Sequence, residues 1–137
     1  AGEVSESTQN LDIAPTLLDY LEIQKPSWMH GSSVIGKLDP YRLIYAAEIK
    51  FEFYAHGRII PDKIQPPFFQ FGKLDIVQCQ MFYQIDLQNL SMTVEEIENY
   101  KERCPVELLD SADVIWLRAG DMLRDFDYDV PSGWGED

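Results

Sequence analysis

From Leu43 to Phe53 the chain alternates without a break, with Leu43, Tyr45, Ala47, Ile49, Phe51 and Phe53 on one side and Ile44, Ala46, Glu48, Lys50 and Glu52 on the other. Successive side chains of a strand point to opposite faces, so this pattern predicts a half-buried β-strand. Ile44 and Ala46 interrupt the polar face, which predicts that the first half of the strand is covered on both sides, by the helix beginning at Asp12. The stretch LDIVQCQMFYQIDLQ, starting at Leu74, alternates as well, and its phase slips around Val77 to Cys79. Two antiparallel strands turning near Gln80 explain the slip better than a bulge within one strand. Between these regions, HGRIIPDKIQPPFFQFGK carries three prolines and reads as a long connection or an edge hairpin.

Helical spacing flanks the strands. Ile13, Leu17, Leu18 and Leu21 recur at helix period behind Asp12, a natural N-cap. Pro15 fits there because first-turn N–H groups have no intrahelical acceptor, and Lys25-Pro26 closes the segment. PSWMHGSSVIGKLDP then reads as a loop anchored by Trp28. Thr93-Val94-Glu95-Glu96 has the capping-box pattern and predicts a short helix through Ile97 and Tyr100, stopped at Cys104-Pro105. A longer helix starts near Ser111, with Ala112, Ile115, Trp116, Ala119, Met122, Leu123 and Phe126 as its apolar stripe. The expected fold class is α+β, a small antiparallel sheet with helices packed on one face. It is organised as a flexible edge at 1–10, one subdomain at 11–130 and an acidic tail at 131–137.

At 137 residues and 45% hydrophobic content the chain can bury a core of its own. A net charge of −13 leaves no basic stripe for phosphates, which argues against nucleic acid and anionic membranes as partners. No apolar run approaches membrane-span length, and the first ten residues lack the features of a signal peptide. Cys79 and Cys104 stand without a C-x-x-C or a neighbouring His, and read first as two buried thiols. A single disulfide between them is the alternative, and it requires an oxidising compartment.

The stretch NLDIAPTLLDYLEIQKPSWMHGSSV resembles a phrase near the C-terminal end of sulfatases and related members of the alkaline-phosphatase superfamily. That phrase runs D-[IL]-x-P-T-[IL]-L-x-x-[LA]-G-[IV], then a Pro-containing loop, then G-x-S-[LV]. Asp12, Pro15, Thr16, Leu17, Leu18, Gly31, Ser33 and Val34 fit it, and Glu22 stands where the family usually has Gly. The match covers residues 10–35. The family's nucleophile motif, C/S-x-P-x-R, and its Asp-His-Gly metal motif are both absent: CPVEL at Cys104 has the wrong order, and neither His30-Gly31 nor His56-Gly57 follows an Asp. The resemblance therefore implies the C-terminal scaffold subdomain of a sulfatase-like hydrolase of sulfate or phosphate esters, a fragment of a larger α/β enzyme without its catalytic centre. Asp12, Pro15, Thr16, Gly31 and Ser33 are then architecture. The missing catalytic domain is the implied partner, and a divalent metal such as calcium is implied for the parent enzyme. In isolation the chain would form a homodimer through the helix at 12–23. The same subdomain from a phosphoethanolamine or phosphoglycerol transferase, or an independent acidic protein-binding module, are the alternatives.

Two further groups invite chemistry. His30 and His56 could supply acid–base or zinc work, but no third ligand is spaced for it, and loop histidines that cap turns explain them as well. Asp125, Asp127, Asp129 and Glu136 fall at positions 1, 3, 5 and 12 of a calcium loop. Val130 occupies the position that needs Gly, so a solvated acidic terminus is favoured over a calcium site. Trp134 in the same tail could anchor it to a neighbour.

Overall fold

A computed structural model describes residues 6–49, 54–55, 58–59, 71–87, 89–100, 103–126, 130 and 134. After a single 3-10 turn at Asn10–Asp12 come α1 (Ile13–Tyr20), β1 (Ile44–Ile49), β2 (Tyr54–Ala55), β3 (Arg58–Ile59), β4 (Phe71–Gln78), β5 (Met81–Asp86), β6 (Ser91–Glu96) and α2 (Ala112–Asp125). Strands β1-β4-β5-β6 form a four-stranded antiparallel sheet, and β2 pairs with β3 separately. The fold is α+β, as the periodicities predict.

Registers Leu74↔Ile85 and Ile76↔Tyr83 place the large apolar side chains of β4 and β5 on one face. There they are fully buried against Ile115, Ala119 and Leu123 of α2, which recur at one-turn spacing along that helix. Ser111 caps α2 by accepting from the Val114 N–H, as its position ahead of the apolar stripe suggests. Turn residues Cys79 and Gln80 separate β4 from β5, so the phase slip is a hairpin.

Several expectations are corrected. Thr93 to Glu96 lie in β6, not in a helix: Thr93 pairs with Gln84, Val94 with Tyr83 and Glu96 with Met81. The capping-box pattern is local, whereas the outer edge of β5 offers backbone partners that a short helix could not replace. Leu43, just before β1, and Tyr45 within it lie against the core as alternation requires, yet Ala46 and Ala47 are both exposed. β1 is an edge strand, and α1 does not cover it. The predicted continuation at 50–53 lies outside the described residues. Helix α1 ends before Lys25-Pro26. Glu22 adopts φ +56, its N–H donates to the Asp19 carbonyl, and the Ile23 N–H donates to the Leu18 carbonyl, a Schellman arrangement. Trp28 is 73% exposed and so does not serve as the expected anchor of the loop among the described residues. The cysteines are joined: Cys79–Cys104 is a disulfide spanning 25 residues.

Candidate functional site

The loop after α1 folds back on the start of the helix, and Asp12 is where the two meet. Its carboxylate is buried, with one oxygen accepting from the Ser32 N–H at 2.9 Å and the other from the Gln9 N–H at 2.9 Å and from Arg42 Nη2 at 2.6 Å. The side chains of Arg42 and Asp12 are only 12% and 3% exposed. Burial raises the carboxyl pKa, but the Ser32 and Gln9 amides and the Arg42 guanidinium outweigh it and hold the group below its ordinary value. Asp12 precedes α1 as expected, but its side chain ties loop to helix and does not cap.

Thr16 and Gly31 complete the junction. Thr16 Oγ1 donates to the Asp12 carbonyl at 2.6 Å and accepts from the Val34 N–H at 3.1 Å. Gly31 has φ +85, and a Cβ there would lie 2.0 Å from the Leu11 carbonyl oxygen, so only glycine lets the backbones approach. Ser33 Oγ donates to Asp19 Oδ2 at 2.5 Å, fixing the far end of the loop to α1. Pro15 is buried within α1. Asp12 and Thr16 thus hold the loop around Gly31 to the start of α1, Ser33 holds it to Asp19, and Arg42 and Gln9, which sequence reasoning missed, complete the partners of Asp12. The signal was present: an Asp in an apolar phrase is buried only with a partner.

This junction leaves an apolar stripe open. Ile13, Leu17, Tyr20 and Leu21 of α1 and its end are 60%, 57%, 76% and 61% exposed, and Leu11, Ile23, Trp28 and Ile35 extend the surface. On its other side the junction faces α2 across a cleft of about 460 Å³, whose lining includes Gln9, His30, Tyr45, Arg118, Asp121 and Asp125. His30 packs on Phe126 with ring centroids 4.5 Å apart. Burial pushes the Tyr45 hydroxyl up to about 12; Arg118 opposes this and Asp110 and Asp121 add to it, so the phenol stays protonated and can only exchange hydrogen bonds.

His56, Asp127, Asp129 and Glu136 lie outside the described residues. Asp125 is the exposed last residue of α2. Among the described residues no three His, Cys, Asp or Glu side chains are grouped to hold a metal. No described helix is long and apolar enough to cross a membrane. Trp134 docks within the chain: it stacks on Trp116 at 4.6 Å and its Nε1 donates to the Trp116 carbonyl.

The arrangement defines a small α+β domain with a tightly built loop–helix junction and an uncovered apolar helix face. Compared with known protein families, curated proteins and solved structures, the chain gives no match.

Proposed function

We propose that this chain is the C-terminal scaffold subdomain of a sulfatase-like, metal-dependent hydrolase of sulfate or phosphate esters, with the catalytic centre carried by the part that precedes it. The observation that carries the reading is the junction itself: Asp12, Thr16 and Val34 of the family phrase are joined by hydrogen bonds that fold the loop back on α1, and Ser33 is tied to Asp19 of the same helix. Scattered matches would have no reason to share partners. Glu22 adds support, because the position where the family usually has Gly has a left-handed backbone here, the conformation glycine takes most easily. The open stripe on α1 is the kind of surface a larger neighbouring domain would cover.

In this role Asp12 and Arg42 tie the start of α1 to the segment that leads into β1, and α1 offers its apolar side to the catalytic domain. No step of ester cleavage falls to the described residues. The test compares the purified chain with the full-length product of its gene on nitrophenyl sulfate and nitrophenyl phosphate. Metal-dependent turnover by the full-length protein and none by the chain is expected. Turnover by the chain alone, lost on His30→Ala, would overturn the proposal.

A further inference from the structure

We propose that Cys79–Cys104 is a disulfide templated by the fold, and that the chain takes its working form in an oxidising compartment. The inference is independent of the sulfatase-like reading. Cys79 sits at φ +50 in the two-residue turn between β4 and β5, a place where glycine would be free of strain.

Contacts other than the bond bring the two sulfurs together. The buried Gln80 amide makes a closed pair with the Cys104 backbone, donating to its carbonyl at 2.9 Å and accepting from its N–H at 2.9 Å. Gln78, also buried, accepts from the Asp110 N–H at 2.9 Å and donates to Asp110 Oδ2 at 3.1 Å and to the Tyr41 carbonyl at 2.8 Å. Two glutamines therefore clamp the start and end of segment 104–110 to the hairpin, with the cysteine Cα atoms 6.0 Å apart. A reduced chain that keeps these clamps keeps its thiols in register.

Exposure sets the order of events. Cys79 is buried, whereas Cys104 is partly exposed. On closure the Cys104 thiolate attacks a small disulfide such as glutathione disulfide, forming a mixed disulfide and releasing one small thiolate. The Cys79 thiolate then attacks the Cys104 sulfur, the protein S–S bond forms, and the second small thiolate leaves. The protein loses two electrons, the small disulfide gains them, and the two cysteine protons pass to the released thiolates. Reversal requires an outside thiolate to attack Cys104, because the Cys79 sulfur is buried. A bond with one approachable sulfur, held in register by the two glutamines, suits a compartment where disulfides persist.

The experiment uses the whole chain, exported to an oxidising compartment during expression. Thiol titration should find none, both before and after denaturation, and mapping should join the peptides containing Cys79 and Cys104. After reduction, reoxidation by glutathione disulfide should be at least tenfold faster in native buffer than in denaturant, and Gln80→Leu should remove most of that advantage. The Cys79→Ser/Cys104→Ser double variant should keep the circular dichroism of the folded chain. Two titratable thiols in the exported protein, equal reoxidation rates in the two conditions, or an unfolded double variant would each overturn the proposal.

Discussion

Replacing Asp12 with Asn keeps the size of the side chain and removes one acceptor oxygen and the charge. Three donors converge on the carboxylate, the Ser32 and Gln9 amides and Arg42 Nη2. An amide offers a single oxygen, so its NH2 group must face at least one of those donors. Arg42 loses its counterion at a site where its side chain is 12% exposed and where Nη1 already lacks a partner. Removing one member of a buried ion pair costs about 3–5 kcal/mol, because the remaining charge stays desolvated. With a urea slope of about 2 kcal/mol/M for a chain of this size, the midpoint should fall by roughly 1.5–2.5 M. Asp121→Asn is the control: its exposed pair with Arg124 should matter by no more than about 0.5 kcal/mol. The pH dependence adds a second readout. Because the folded-state pKa of Asp12 lies below the unfolded value, its contribution is present above about pH 4 and is lost as pH falls through the lowered value. Asp12→Asn should flatten that acid limb. A loss below about 1 kcal/mol with the acid limb unchanged would refute the junction as a source of stability.

Glu22→Gly should relieve the left-handed backbone at the end of α1 and stabilise by about 0.5–1 kcal/mol, read as a higher melting temperature. Gly31→Ala should cost about 2 kcal/mol or more, because the added Cβ meets the Leu11 carbonyl; denaturant midpoints measure it. In Gly120→Ala the new Cβ would fall 2.6 Å from Trp134 Nε1, so Trp134 should leave its stack on Trp116, shifting tryptophan emission to the red and weakening the near-UV circular dichroism. The isolated chain should self-associate through the open α1 face, and Leu17→Lys should shift its sedimentation toward monomer.

The sheet and α2 were legible because their signals are periodic and their partners close in sequence: Leu74 to Ile85 is one hairpin, and Ile115, Ala119 and Leu123 form one helix face. β6 was misread because a four-residue capping pattern carries no information about the free edge of β5. The apolar stripe of α1 is legible both as a helix and as an open surface, but its failure to cover Ala46 of β1 is not, since periodicity shows that a face is apolar without showing what lies against it. The junction was half visible. Asp12, Pro15, Thr16, Gly31 and Ser33 stood out as a phrase, while Arg42 and Gln9 reach the site through tertiary contacts that no spacing encodes. The disulfide ranks behind free thiols on sequence alone because no spacing shows Gln78 and Gln80 holding the two segments together.

The coding sequence immediately upstream of Ala1 tests the central claim most directly. The account predicts an open reading frame continuous with this chain that encodes a C/S-x-P-x-R nucleophile motif and an Asp-His-Gly metal motif ahead of Asp12. A start codon directly before Ala1, or an upstream frame lacking both motifs, would contradict it.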